Sequence, residues 1–375
     1  MIVEVLLALL VSILAAFYVG YYLFGLAWGK SEPPVGDETY VPKVSLVVAT
    51  FNEENAVEKK IENLTGINYP RDRMEIILVD SSTDATREII KKFIAASDIN
   101  VKLFEEEERR GLASALNKGY AMATGEIVIK TDCDIPIHED SVREIVKQFH
   151  SPSVGAVSGA IRIVNQSDTE IGYRSIFERL RLAEANLDST YLFNPFCAFR
   201  KELIQPIDQR SVADDAELAL KIRKSGFKTS YSPTAVAYET SPTSLSERVR
   251  QKSRRAQGHI RLIIQNLDVL LNPKYSRFGL FIFPANFFMM ILSPWLILLS
   301  LVICFIYLLN LAGLIISSMI LLLFLVLIAA AYVKSTPKIL AGFLDSQLNL
   351  LVGLFKLVTK GPDFRWTKNK RDKNS

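Results

Sequence analysis

Two long apolar runs bracket the chain. From Ile2 to Leu26 only Glu4 is charged, a stretch long enough to cross a hydrocarbon core of ~30 Å as one helix. Aromatic residues gather at its end (Phe17, Tyr18, Tyr21, Tyr22, Phe24, Trp28), as they do at a membrane interface. It has no basic leading segment and no small-x-small cleavage site, which favours an uncleaved anchor over a signal peptide. From Phe278 to Val333 no side chain is charged. That run suits two crossing helices of about 20 residues each, with Pro294 kinking the first and Asn310–Gly313 forming the turn. In a third segment, Leu340, Phe343, Leu344, Leu348, Leu351, Leu354 and Phe355 recur at helical spacing, while Asp345, Gln347, Asn349 and Lys356 interrupt the run. This pattern reads as an amphipathic helix in the membrane interface. Three crossings also leave Lys30, Lys274, Arg277, Lys334 and Lys338 on one side, the cytosolic one by the basic-residue rule.

Between these runs the period changes. Short apolar stretches at Val44–Ala49, Glu75–Val79, Val101–Phe104 and Ile127–Lys130 alternate with amphipathic stretches at Glu54–Leu64, Asp84–Ala96 and Leu112–Ala123. Strands alternating with helices predict a doubly wound, mostly parallel α/β sheet. The expected organisation is an anchor over 1–30, a cytosolic domain over 31–277, two spans over 278–334, an interfacial helix over 335–358 and a basic tail over 359–375.

Composition sharpens this. A mean hydropathy of +0.21 is high for a wholly soluble protein, and a net charge of +4 over 375 residues gives no reason to expect nucleic acid as a partner. The tail from Thr359 carries six basic residues and two acids, which accounts for that whole charge. Such a tail suits the anionic cytosolic face of a membrane. Cys133, Cys197 and Cys304 show no metal-ligand spacing and read as small buried hydrophobes of a reducing compartment. The isolated His138, His150 and His259 read as structural. With no charge inside the long apolar runs, an ion path has no carrier.

In parallel α/β sheets, ligands bind beyond the carboxyl ends of the strands. There the chain places Thr50–Glu54, Asp80–Thr86 and Thr131–Asp134. One acid at a helix start is a cap; three acid-bearing loops at successive strand ends ask for more. Asp132-x-Asp134 can offer hard oxygens to one Mg²⁺ or Mn²⁺, which would neutralise a diphosphate. The Gly-rich signatures of mononucleotide and dinucleotide binding are absent.

Taken in order, VATFNEE at 48–54, ILVDSSTDAT at 77–86, RGLASALN at 110–117, TGEIVIKTDCD at 124–134, VADDAEL at 212–218 and QKSRRAQG at 251–258 resemble the family 2 glycosyltransferases. These are inverting enzymes of the GT-A fold that include cellulose, chitin and hyaluronan synthases. The resemblance implies a membrane-bound transferase with a GT-A sheet flanked by helices, and N- and C-terminal transmembrane helices. It implies that Thr50, Asn52, Glu53, Asp80 and Asp132 line the donor pocket, Asp80 accepting from the base. Asp132 and Asp134 would hold the metal, and Asp215 would be the catalytic base with Asp214 beside it. Gln251 and Arg254 would stand near the diphosphate and acceptor, and Asn194–Arg200 beside the acceptor.

The roles fit the chemistry. Inversion needs a base to take the acceptor's proton, a neighbouring carboxylate raises the base's proton affinity, and Arg254 suits the charge on a departing diphosphate. The basic run from Arg248 to Arg255 also suits lipid headgroups. Two positions depart from the family pattern: Arg255 replaces the Trp after Q-x-x-R, and Leu112 replaces a Lys. That Trp is associated with gripping sugar in processive synthases, and three spans enclose no polar channel without a homo-oligomer. The expected function is therefore single transfer from a nucleotide sugar, UDP-linked by family habit, to a lipid-linked or glycan acceptor at the cytosolic face of the plasma membrane. A processive β-glycan synthase and an inactive membrane-anchored nucleotide-binding scaffold are the alternatives.

Overall fold

The computed structural model describes residues 2–29, 37, 39–96, 99–164, 168–241, 244–311 and 338–361. Its centre is a seven-stranded sheet of order β3-β2-β1-β4-β6-β5-β7. The strands are β1 (Val44–Thr50), β2 (Met74–Asp80), β3 (Val101–Glu105), β4 (Ile127–Lys130), β5 (Val154–Ile163), β6 (Cys197–Arg200) and β7 (Lys228–Glu239). All neighbours pair in parallel except β6, which runs antiparallel to both β4 and β5. The expected strands are found within a residue at each end; the structure adds the antiparallel insertion and the β5–β7 half.

Alternation along the strands explains why both faces are covered. Leu46, Val48, Ile76 and Leu78 point to a core shared with α2 (Val57–Thr65), α3 (Thr86–Ala96) and α5 (Ser141–Val146). Val47, Ile77 and Val79 point the other way, into a core shared with α4 (Leu112–Met122) and α7 (Asp214–Lys224). Successive side chains alternate faces, so β2, buried at every position, is covered on both sides. In register, Thr50 of β1 stands beside Asp80 of β2, and Lys130 of β4 faces Cys197 of β6. The order turns back on itself at β1 and β4, where α/β sheets open a crevice.

Among the described residues, two helices are long and apolar enough to cross a membrane: α1 (Ile2–Trp28) and α9 (Phe278–Leu311). Both leave large apolar side chains exposed, among them Ile2, Val5, Leu9 and Val19 on α1 and Trp295, Leu299, Val302 and Leu311 on α9. The first turns of α9 are an exception. Phe278, Ile282 and Phe283 lie fully inside the second core, so this helix grows out of the α/β body. Each proline in it, Pro284 and Pro294, follows a π turn, at Phe278–Ile282 and Phe288–Leu292. A π turn loosens the ladder that a proline would break. Asn310 and Leu311, the first two residues of the expected hairpin turn, are still helical; the rest of that turn, the second crossing and the tail beyond 361 lie outside the described residues.

A long helix, α6 (Asp168–Leu187), ties α1 to the body. Tyr21, Phe24, Leu180 and Ala183 form a small core. Beside it Glu184, 2% exposed, accepts from Tyr21 Oη at 2.5 Å, Asn286 Nδ2 at 2.9 Å, Thr190 Oγ1 at 2.9 Å and the Tyr191 N–H at 3.2 Å. Four donors from α1, α9 and the loop before β6 repay what burying one carboxyl costs. The last helix, α10 (Lys338–Lys360), lies against α8 (Leu245–Gln265) and α6. The polar residues that interrupt its apolar pattern face inward. Asp345 pairs with Lys252 at 2.6 Å, Gln347 accepts from Ser293 at 2.9 Å, and Lys356 donates to Ser253 at 3.1 Å. Leu348, Phe355 and Val358 are exposed instead.

Candidate active site

The first two loops of the site fold around one buried carboxylate. Asp80, fully buried at the end of β2, accepts from Thr50 Oγ1 at 2.7 Å and from the Ser82 hydroxyl at 2.6 Å. Its second oxygen accepts from the Ser82 N–H at 3.2 Å and Arg87 Nε at 3.1 Å. Ser82 Oγ in turn accepts from the Asn52 N–H, and Asn52 Oδ1 accepts from the Thr83 N–H at 2.9 Å. Asn52 adopts a φ of +55°, a left-handed conformation that Asn tolerates better than most residues. Glu53 is buried, its N–H held by Thr86 Oγ1 at 2.8 Å. The capping reading holds for Asp84, which accepts from both the N–H and the hydroxyl of Thr86. Arg109 lies 3.7 Å over the Phe51 ring and closes this side.

Around the end of β4 two buried lysines organise the acids. Lys60 of α2, 2% exposed, donates to Thr131 Oγ1 at 2.9 Å and to the Ile135 carbonyl at 2.5 Å. It therefore clasps the Asp132-Cys133-Asp134 loop on both flanks. Burial lowers its pKa to about 8, against the pull of Cys133, Asp132 and Asp134. Lys130, whose side chain is 3% exposed, lies 2.9 Å from Asp214 Oδ2, 3.4 Å from Asp132 Oδ1 and 3.9 Å from Asp215 Oδ2. Burial opposes its charge, yet the three carboxylates hold its pKa well above the usual lysine value. Burial raises Asp132 as well. It pushes Asp215 up to about 6, with Asp214 adding to the rise and Lys130 opposing it.

The acids come from distant parts of the chain. Asp214 and Asp215 open α7, and Asp215 Oδ1 accepts from the Ala216 N–H at 2.8 Å. Helix α8 lies against the loop before them at Gly258, where a Cβ would meet the Val212 carbonyl carbon at 3.0 Å and the Ala213 nitrogen at 3.2 Å. Arg261, one turn on, donates to the Arg210 carbonyl at 2.7 Å and pairs with Asp208 at 3.3 Å. Gln251 and Arg254 share the face of Gly258 by helical spacing and are half-buried. Arg255 pairs with Glu239 of β7 at 2.7 Å. Asn194 accepts from Arg181 at 2.8 Å and donates to the Gly159 carbonyl at 2.7 Å, which fixes the loop leading into β6.

Thus Thr50, Asn52, Glu53 and Asp80 are brought together with Ser82 and Thr86 at the ends of β1 and β2, and Asp132, Asp214 and Asp215 meet around Lys130 at the end of β4. The sequence reading did not single out Lys130, Lys60 or Arg87. A lysine ending an otherwise apolar strand was the one available signal. His259, read as isolated, sits where burial and the guanidiniums of Arg181 and Arg255 lower it to about 4, so it is neutral beside Asp214. The partly accessible oxygens of Asp132 and the half-buried Asp134 form a hard, anionic donor set. Its chemistry fits Mg²⁺ or Mn²⁺ rather than a softer ion.

The profile of Glycosyl transferase family 2 matches residues 45–207, and that of Glycosyl transferase family group 2 matches residues 127–333, more than half the chain. The chain is 26% identical over 265 residues to a probable glycosyltransferase, YdaM, of Bacillus subtilis strain 168. That alignment covers 66% of this chain and 63% of the relative, so the chain spans less than two thirds of its length. Over 293 residues it is 26% identical to the poly-beta-1,6-N-acetyl-D-glucosamine synthase of Staphylococcus aureus strain MSSA476, covering 75% of this chain and 69% of the other. Among solved structures it is similar to the mannosyltransferase PcManGT of Pyrobaculum calidifontis, in complex with GDP-Man and Mn²⁺. The TM-score is 0.81 at 28% identity, with 95% of this chain and 99% of the other covered. The sheet is of the GT-A type, the site lies at its switch point, and the chain belongs to the family 2 glycosyltransferases.

Proposed function

We propose that this glycosyltransferase inverts the anomeric centre of a hexose as it moves it from a nucleotide-sugar donor to a lipid-linked or glycan acceptor at a cytosolic membrane face. The observation that carries this reading is the convergence on one ammonium. Asp132 and Asp215, 83 positions apart, lie 3.4 and 3.9 Å from Lys130 Nζ, so the donor-side loop and the base share one crevice.

In this reading the wall of Thr50, Asn52, Glu53 and Asp80 receives the nucleoside. The four bonds already made to Asp80 keep that wall rigid, and Asp80 meets the base by exchanging one of them. Asp132 and Asp134 would hold a divalent ion, which supplies charge neutralisation for the diphosphate. Asp215 takes the proton of the acceptor hydroxyl as its oxygen attacks opposite the leaving group. Asp214 sets the charge around the base. Gln251 and Arg254 face the departing diphosphate from α8, where a guanidinium stabilises the charge that develops.

Two further points support the setting. The exposed apolar flanks of α1 and α9, and the outward Leu348, Phe355 and Val358 of α10, exceed what a soluble protein leaves uncovered. They suit an integral membrane protein with its α/β body held at the surface. Arg255, in the place of the processive synthases' Trp, is engaged by Glu239 rather than free to stack on sugar, which favours single transfer.

The complex of the similar mannosyltransferase favours GDP-mannose over the UDP-linked donor expected from family habit. The test is a donor screen on membranes carrying the protein, with labelled GDP-mannose, UDP-glucose and UDP-N-acetylglucosamine plus Mn²⁺. Label in the lipid-soluble fraction from GDP-mannose is the expected result. Label in polymer would support the processive alternative, and label in neither fraction from any donor would overturn the reading.

A further inference from the structure

Charged groups are rarely buried this deeply without a task, and Lys130 is the deepest cation of the crevice that touches more than one acid. Its side chain is 3% exposed and its partners are Asp214 at 2.9 Å, Asp132 at 3.4 Å and Asp215 at 3.9 Å. Lys60 makes a useful contrast. Its hydrogen bonds go to a hydroxyl and a carbonyl of one loop, and the acids that pull on it belong to that same loop, so it holds the shape of one loop. Lys130 instead links two loops that no strand pairing joins: the one after β4 and the one opening α7. Apart from this ion cluster, the two loops are related through the core that α7 shares with the sheet. Across the sheet, β4 pairs with β6 and β1, whereas α7 follows a stretch anchored to α8. An ammonium is a compact point charge, and here three carboxylates lie within 4 Å of it as ion pairs.

We propose that Lys130 is a positioning residue for the transfer: its ammonium fixes the Asp214–Asp215 pair against the Asp132 loop, and so sets where the base stands relative to the donor's anomeric carbon. The inference rests on the reading of Asp215 as base and Asp132 as donor-side acid. Lys130 takes part in no bond making. A misplacement of about 1 Å between base and reacting centre lowers turnover about 100-fold without touching the groups that grip the nucleoside. The wall around Asp80 is built from β1, β2 and α3, and does not involve Lys130.

The test uses the full-length protein in nanodiscs, with Lys130→Met, Asp214→Asn, the double variant and Asp215→Asn. Binding of GDP, or of UDP if the screen selects it, is read beside kcat. Lys130→Met should lower kcat about 100-fold while nucleotide affinity changes by less than about threefold. Because the lysine acts through the acids, the losses should overlap, the double variant falling within about threefold of Asp214→Asn alone. The double variant also removes both members of a buried pair, so it tests the inference even if Lys130→Met alone does not fold. Unchanged kcat in Lys130→Met, equal losses in kcat and nucleotide affinity, or losses that multiply would each overturn the proposal. If Asp215→Asn kept full turnover, the underlying reading of the base would fail instead; an inactive Asp215→Asn beside a fully active Lys130→Met would sink this inference alone.

Discussion

Gly258 of α8 stands against Val212, so near that a Cβ at 258 would meet the Val212 carbonyl carbon at 3.0 Å. Two residues further along the chain from Val212 the acidic pair begins. The helix that carries Gln251 and Arg254 is thus set directly on the loop that leads into Asp214 and Asp215 at the start of α7. Gly258→Ala should push the two apart by a few tenths of an ångström. The expected result is a protein that folds and binds nucleotide as the wild type does, with kcat lowered about 10-fold. Steady-state kinetics beside a thermal melt check this. A variant with normal kcat would show that the contact does not set the site.

Asp215 is buried and lifted to about 6, and it must be ionised to take a proton. Activity should therefore be flat at neutral pH and fall as pH drops through about 6, by roughly tenfold per unit below it. The same shift has a sign for stability. With its folded pKa above the unfolded value, ionised Asp215 costs stability above about pH 6, and the cost is relieved as pH falls towards 4. Asp215→Asn should accordingly raise Tm at pH 7.5 by several degrees, on the order of 1–3 kcal/mol. Measuring kcat from pH 5 to 8 tests the first statement; differential scanning fluorimetry tests the second.

Arg255 offers a third check. Replacing it with Trp restores the residue of the processive relatives but removes the 2.7 Å ion pair to Glu239, whose side chain is 11% exposed. Because Arg255 itself is 43% exposed, the variant should be less stable by no more than about 1 kcal/mol, and its product should still carry one added sugar by mass spectrometry. Polymeric product from Arg255→Trp would show that this position alone separates single from processive transfer.

The junction of α1 with the body rests on Glu184. Tyr21→Phe deletes one of its four donors, the 2.5 Å bond across to α1. Stability should fall by about 1–2 kcal/mol, with kcat within about twofold of wild type, because the donor wall and the acids are built from other elements. A large loss of turnover would mean instead that the anchor contact reaches the site.

How far the sequence alone led depends on which physical signal each residue left. Short apolar runs marked β1, β2 and β4, and apolar residues at helical spacing marked α4, almost to the residue, since a strand covered on both faces is apolar nearly throughout and a half-buried helix repeats at 3.6. Polar residues at strand ends gave Thr50, Asn52, Asp80 and Asp132 their place on the crevice. Antiparallel β6, Cys-Ala-Phe-Arg, has no β-branched run like the Ile-Val-Ile of the equally short β4, so nothing marked it as a strand. Lys130 and Lys60 were hidden for a different reason. A charged residue in an apolar run reads as an edge or a helix surface until its counter-ions are known, and those of Lys130 come from Asp214 and Asp215, far along the chain. The polar residues of α10 seemed to spoil an apolar pattern; they are the inward face, bonded to α8 and α9, and only the partners reveal that direction.

The central claim is that Asp215 is the base of a transfer from a nucleotide sugar. Its most direct test measures, on one preparation of wild type and Asp215→Asn in nanodiscs with Mn²⁺, both GDP-mannose binding and transfer of labelled mannose to lipid. Asp215→Asn should bind the donor within about threefold of wild type and lose turnover by about 10³-fold. Turnover that survives the substitution at normal donor affinity would contradict the assignment.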